Sequence, residues 1–420
     1  MKRRTIELCK DVILVLLVVN LILLALMSLP TESVRKSPLL SALLQPLAQV
    51  LGMDQAELAY MEVAEPVMDA ARPLAVTLRN SAGRYTAIWD FAALDTAFET
   101  LGGALGEALD TASAPSTVSE AQVQGVLAGE SVYFDYGLTL PAAVLASWLD
   151  AVPEESLPEV HACALVVEGD QVALYLLGET YQRAETGLLP ETLENLLEQF
   201  RPDGSAFAFE VDSTLTPDAL LPGGNPAPPS AVVGNPCDNR YIESLATALG
   251  FNPYGDTSYT DSDGTAYFSE AGCALQISSN GEILLTSTAQ DRFRAGGDGV
   301  AELVEEARRL AALAAGDAAG EARLYLSDLT VTEEETVCTF DYYLSGIPVS
   351  LAAGYGIQVT FSGQSVRRME GTALRFETTG DTQLVMPVAQ AAAVLPEGSD
   401  LTLQYQLQDG ALQAGWLFER

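Results

Sequence analysis

The sequence predicts an α+β protein in which a single N-terminal transmembrane helix is followed by extracytoplasmic domains of antiparallel sheets packed with helices. Three observations predict it. Residues 12–29, VILVLLVVNLILLALMSL, form an apolar run of 18 residues broken only by Asn20 and Ser28, about the length a helix needs to cross a bilayer. Beyond it, groups of strand patterns alternate with helical patterns, without the strict strand–helix repeat of a doubly wound sheet. Residues 219–236, ALLPGGNPAPPSAVVGNP, concentrate five prolines and three glycines with almost no charge, which marks a crossing between domains. The expected organisation is a cytoplasmic tail at 1–10, an anchor at 11–30, an N-terminal α+β region at 31–222, a Pro/Gly-rich linker at 223–236 and a C-terminal α+β domain at 237–420.

The elements follow in order. Lys2, Arg3, Arg4 and Lys10 precede the apolar run, while only Arg35 and Lys36 follow closely, so the positive-inside bias puts the N-terminus in the cytoplasm and the bulk of the chain outside. A cleaved signal peptide is the competing reading; LMSLPTES shows no A-x-A pattern, which favours an uncleaved anchor. PLAVTLR and RYTAIWDF alternate like strands, and FAALDTAFETLGGALGEALD has helical spacing with a weak point at Gly102 and Gly103. ESVYFDYGLTL reads as a strand, PAAVLASWLD as a helix opened by Pro141, and VHACALVVEGDQVALYLLG as two strands about a Gly-Asp turn. PETLENLLEQF is helical and SAFAFEVD a further strand.

After the proline-rich segment, CDNRYIESLATALGF places Ile242, Leu245, Ala246 and Leu249 on one helical face, with Asp238 or Asn239 to cap its start and Gly250 its end. Strands run to about Thr288, and DGVAELVEEARRLAALAAG is a strongly amphipathic helix. Strands resume in ARLYLSDLTV, TVCTFDYYLSG, GIQVTFSG and TALRFETTG. MPVAQAAAVLPEG is the last helix, and LTLQYQLQDGALQAGWLFE closes as a hairpin about Asp409-Gly410.

Composition narrows the chemistry. Hydrophobic residues make up 48% of the chain, which excludes disorder as its overall state. The formal net charge is −36; the first ten residues hold four positive side chains and one negative, which leaves −39 for the rest. Such a domain is repelled by nucleic acid and by anionic headgroups, so nucleic acid is excluded as a partner. All three lysines (Lys2, Lys10 and Lys36) lie at the N-terminal end, so the external part has no P-loop, Schiff-base or S-x-x-K lysine. The single histidine, His161, sits in the apolar run VHACALVV, where strand patterning makes it a core or edge-strand residue. Cys163, Cys237, Cys273 and Cys338 could form two bridges in three connectivities. They could also stay as thiols, as the alternation of Cys273 and Cys338 with apolar neighbours suggests.

The acidic stretch YTDSDGTAYFSE sets Asp261, Asp263, Gly264 and Glu270 at calcium-loop spacing. Tyr259 occupies the first ligand position, and the flanks TSYT and TAYFSE are strand formers, whereas such a loop needs helices on both sides. The run therefore reads as two hairpins, SYT–DSDG–TAYF and CALQI–SSNG–EILLT, and no metal or cofactor is expected.

A helix ending in LGFNPYGD, followed by a tyrosine-bearing D-G hairpin and an N-G hairpin, resembles the YycH/YycI proteins. FDYYLSGIPVS, IQVTFSGQSVRRM and a final hairpin carrying Tyr405 and Trp416 extend the resemblance, which departs in QAGW, where the family has a proline before the tryptophan. It covers the anchor and 237–420 best, and overall length favours the YycH type. The resemblance implies a non-enzymatic, single-pass accessory protein of the WalK/WalR (YycG/YycF) two-component system in a Gram-positive cell membrane. Its partners would be the WalK/YycG-type sensor histidine kinase and a second YycH/YycI-like protein, and no catalytic residues carry over.

Asn20 lies in the middle of the apolar run. It is either tolerated there, its amide bonded to a backbone carbonyl, or it bonds to a helix of the kinase, with Ile13, Leu16, Leu17, Leu23, Leu24 and Met27 packing on the same face. Two other classes stay open: a wall-associated binding or assembly module, and a carboxylate-based wall hydrolase.

Overall fold

A computed structural model describes residues 67–289, 292–408 and 410–417. Among them no helix is long and apolar enough to cross a membrane. The run at 12–29, and with it Ile13, Leu16, Leu17, Asn20, Leu23, Leu24 and Met27, lies outside the described residues.

The architecture is mixed α+β, two large, mainly antiparallel sheets and a two-stranded one packed with helices. After a short helix α1 (Val67–Ala70), the first sheet takes β1 (Ala75–Asn80), β2 (Gly83–Ile88), β3 (Ser116–Thr117), β4 (Ser131–Pro141), β5 (Glu159–Glu168), β6 (Gln171–Leu177) and β7 (Tyr181–Glu185) in the order β2-β1-β4-β5-β6-β7-β3. Its central strands read as nearly continuous apolar runs because both faces are covered. On one face lie α2 (Phe91–Asp110), α4 (Ala142–Trp148) and α5 (Pro190–Leu197), with the rings of Phe98 and Phe134 edge to face at 6.4 Å. On the other, α3 (Glu120–Leu127) supplies Val123 and Leu127 to a cluster with Tyr133, Ala164, Tyr175 and Phe207. Adjacent Tyr133 and Phe134 serve opposite faces because a strand alternates.

Helix α2 starts where Asp90 accepts hydrogen bonds from the amides of Ala92 and Ala93, and it runs unbroken through Gly102 and Gly103. The expected weak point is absorbed by burial, since Leu101, Gly102, Leu105 and Gly106 all face inward. SAFAFEVD is only briefly a strand: β8 (Ala206–Phe207) pairs with β9 (Leu220–Leu221), and Ala208–Glu210 turns into a 3-10 helix.

The second sheet has the order β11-β12-β13-β14-β19-β18-β16-β17-β21-β22-β10-β20, with β15 on the free side of β16. Its strands are β10 (Pro229–Gly234), β11 (Ser258–Thr260), β12 (Ala266–Glu270), β13 (Cys273–Ile277), β14 (Glu282–Ser287), β15 (Ala322–Val331), β16 (Thr336–Leu344), β17 (Ile347–Ser350), β18 (Ile357–Ser362), β19 (Ser365–Thr372), β20 (Arg375–Thr382), β21 (Leu403–Gln408) and β22 (Ala411–Trp416). All neighbours are antiparallel except β17 and β21. Ser345 and Gly346, both with positive φ, make the two-residue turn between β16 and β17, the conformation such tight hairpins require. Helix α6 (Asn239–Ala248) is capped by Asp238, whose carboxylate accepts from the Tyr241 amide at 2.8 Å. Helix α7 (Val300–Ala311) buries Leu303, Val304, Ala307 and Leu310 and packs on β16, β18 and α4, and α8 (Val388–Val394) precedes the final hairpin.

The proline-rich stretch is less of a linker than its composition suggests. Pro229–Gly234 is strand β10, paired with β20 along its length and touching β22. Pro229 opens the strand, a position where a missing N–H costs little. Residues 222–228 connect β9 to β10, and they are held by Gly223 N–H to Ser205 Oγ (3.1 Å) and by Asn225 Oδ1 accepting from Val388 N–H (3.2 Å). The described residues form one compact unit. The two sheets meet where β15 lies against β4, where Asp95 takes two 2.7 Å hydrogen bonds from Arg323, and where Trp89 meets Trp416 edge to face at 5.2 Å.

Candidate functional site

Strand β4 is regular as far as Asp135, which is paired with Ala162, and resumes at Leu140, paired with Val160. Residues 136–139 bulge out, so His161 on β5 has no single partner across the ladder. This is why His161 is neither a core nor an edge-strand histidine. It stands half-buried on an interior strand, at a break in the pairing.

The break opens a cleft of about 590 Å³ between the first sheet, the segment before β9 and the second sheet. Asp135, His161, Asp218 and Asp400 line it, together with Trp89, Tyr133, Thr216 and Tyr343. No arginine or lysine is among its lining residues. His161 Nε2 lies 3.8 Å from Asp218 Oδ2. Asp135 accepts a 2.9 Å hydrogen bond from the Gly137 amide inside the bulge. Thr216 joins the two halves: its hydroxyl donates to Asp400, and its amide donates to the Ser399 carbonyl at 3.0 Å. Trp89 holds φ +58°, a left-handed backbone that is unfavourable for a bulky residue, at the mouth of this cleft.

The electrostatics follow from this packing. Burial pushes the Asp135 carboxyl up to about 6, against the Gly137 hydrogen bond and the charge of His161. The pairing with Asp218 raises His161, against its burial, and the charges of Asp135 and Asp400 add to the rise. Asp218 is held low by His161. Burial also raises the phenols of Tyr133 and Tyr343. Two aspartates of one cleft are thus driven in opposite directions, so that one holds a proton where the other has lost it.

A second cavity, of about 180 Å³, is lined by Arg72, Arg308 and Arg323 with Trp148 and Tyr325. These cations already face carboxylates. Arg72 pairs with Asp69 and Asp95, Arg323 with Asp95, and Arg308 with Glu305, which also accepts from the Trp148 indole at 3.2 Å. Arg323 lies 4.1 Å over the Phe91 ring. The network cements α2 and α4 to β15 and α7.

The acidic loop forms the two expected hairpins, β11–β12 and β13–β14. Asp261 Oδ1 accepts from the amides of Asp263 and Thr265, each at 2.9 Å, while Glu270 faces away and accepts from the Asn252 amide at 2.8 Å. Among the described residues no three His, Cys, Asp or Glu are grouped as a metal ion requires. Cys163, Cys237, Cys273 and Cys338 are all free thiols.

Sequence reasoning singled out His161 but passed over Asp135, Asp218 and Asp400. Each is one acid among 57 in the chain, and only the fold brings them together. The one local signal was Gly137 after Asp135 inside a strand pattern, a sign of a bulge. No family model matches the chain, and no curated protein or solved structure matches it.

Proposed function

We propose that the chain is a non-enzymatic regulator, anchored by residues 11–30 in a Gram-positive cell membrane with its N-terminus in the cytoplasm. It modulates a WalK/YycG-type sensor histidine kinase through transmembrane and extracytoplasmic contacts, with a second YycH/YycI-like protein as a further partner. What carries this reading is the series of segments that resemble the family: LGFNPYGD, the double hairpin, FDYYLSGIPVS and the terminal Trp416 hairpin. In the structure these segments belong to or adjoin one sheet, as β11–β14, β16–β17 and β21–β22. The apolar run with its basic flank and central Asn20 supports the membrane half of the reading.

The test replaces Asn20 with Leu and, separately, residues 11–30 with an unrelated span, and measures expression of wall-hydrolase genes under the kinase. Both variants are expected to insert at normal protein level and to change that output. Unchanged output in both refutes the membrane contact and leaves regulation to the external part.

A carboxylate-based wall hydrolase is the second reading, favoured by the opposed titration of Asp135 and Asp218 in one cleft. Wall-glycan cleavage by the purified chain, lost in Asp135→Asn, would establish it over the first.

A further inference from the structure

The cleft around His161 is a joint as well as a cavity. Asp135 comes from β4, His161 from β5, Asp218 from the segment before β9, and Asp400 from the approach to β21 in the second sheet. Hydrogen bonds join 214–216 to 398–400 beside it: the Gly398 amide to the Thr214 carbonyl at 2.7 Å, the Thr216 amide to Ser399, and the Thr216 hydroxyl to Asp400. The groups that face Asp135 and His161 are Asp218, Asp400, Tyr133 and Tyr343, with no basic side chain beyond His161 itself.

We propose that this cleft is a proton-operated joint: a proton on Asp135 and a proton on His161 tighten the contact between the two sheets, and their loss loosens it. The inference goes beyond the proposed function and stands whatever partner the chain has. With both protons bound, an imidazolium paired with Asp218 shares the cleft with Asp400 and a neutral carboxyl. With both lost, three carboxylates share a half-buried cleft with no cation to offset them, and like charges at that range repel.

The direction of the pH dependence follows from linkage. Asp135 is raised by burial, so its ionisation is disfavoured in the closed form, and the penalty grows as pH climbs from the ordinary carboxylate range through about 6. His161 is raised chiefly by Asp218, so its stabilising pair is complete below the ordinary histidine value and is lost as pH passes the raised one. Both act in the same sense. While one proton is being lost, the ratio of open to closed joint rises by up to about tenfold per pH unit.

Trp89 lines the cleft and contacts Trp416, so tryptophan emission and acrylamide quenching report on the joint. The full chain in nanodiscs is titrated from about pH 4 to about pH 8, a range that spans the ordinary carboxylate and histidine values. The expected result is a red shift and stronger quenching that begins in the ordinary carboxylate range, runs to about 6, and continues above the ordinary histidine value. Asp135→Asn removes the lower part of the transition, His161→Gln the upper part, and the double variant is flat. A flat wild-type profile overturns the proposal, as does a transition that survives unchanged in the double variant. If the double variant does not fold, the wild-type profile decides alone: a transition in that range supports the joint and a flat line refutes it. Loss of kinase-dependent gene output is a separate measurement, so failure of the regulator reading leaves this result standing.

Discussion

The Arg84–Glu210 pair offers the sharpest test of how the first sheet is held together. Arg84 on β2 has a side chain only 2% exposed, and that of Glu210 is 15% exposed. The guanidinium gives Glu210 two hydrogen bonds, Nε to Oε2 at 2.9 Å and Nη2 to Oε1 at 2.6 Å, and Nη2 also reaches the Leu127 carbonyl at 2.9 Å. It lies 4.6 Å over the Phe207 ring, and the Phe207 amide donates to the same carboxylate at 2.9 Å. Arg79 on β1 also donates to Glu210, Nη1 to Oε1 at 3.1 Å, so one carboxylate ties β1, β2, the end of α3 and the 3-10 turn across one face of the sheet. Burial pulls the Arg84 pKa down while Glu210 holds it up, so the cation depends on its partner.

Glu210→Gln keeps the shape and removes the charge, leaving a buried arginine uncompensated; breaking a buried pair in this way costs about 3–5 kcal/mol. At roughly 2 °C per kcal/mol for a large domain, the melting temperature should fall by roughly 6–10 °C. Replacing both partners, Arg84→Met with Glu210→Met, removes the stranded charge. What remains is the Phe207 amide without its acceptor, about 1–3 kcal/mol, and the loss of the half-exposed Arg79–Glu210 pair at 3.1 Å, about 1 kcal/mol or less. The double variant should therefore melt above Glu210→Gln. Circular dichroism melts of the two variants and the wild type decide it. A loss under about 1 kcal/mol in Glu210→Gln, or a double variant less stable than the single one, would refute the reasoning, because the pair would then behave like a surface salt bridge.

Two further predictions concern metal and thiols. Asp261, Asp263 and Glu270 should show no saturable calcium binding in the micromolar range typical of sensor loops, since Asp261 is already an acceptor for its own turn and Glu270 serves Asn252. A stoichiometric calorimetric transition abolished by Asp263→Ala would contradict this. Burial pushes the thiols of Cys163 and Cys338 up to about 12, whereas Cys237 is half-buried and raised to about 11 by burial and Asp238. Of these three, Cys237 should be labelled first in the native chain, slowly, with Cys163 and Cys338 following only on unfolding. Peptide mapping that finds native Cys163 labelled at the rate of Cys237 would count against the burial argument.

Local patterns were legible wherever one residue's neighbours along the chain settle its environment. The cap at Asp238 and the stop at Gly250 were readable because a helix end needs an acceptor for its free amides and a residue that tolerates positive φ. The hairpins at 258–287 and 403–416 were readable from turn residues between alternating strands. Strand β19 was not picked out by itself, because Arg367 and Arg368 interrupt its apolar alternation at the bulge where Val366 and Arg368 pair with neighbouring residues of β18. Prolines concealed β10, since composition reports turn propensity and cannot report that a sheet edge waits to be paired.

By itself, then, the sequence determined the α+β class, most helices and hairpins, the acidity and the absence of lysine chemistry beyond Lys36. The tertiary structure decided which strands neighbour which, that the described residues pack as one unit, and that His161 meets Asp135, Asp218 and Asp400. The physical reason is range. Helix caps, turns and alternation are set by contacts within a few residues, while burial, and with it the proton affinity of a carboxyl such as Asp135, depends on what distant segments exclude water from it.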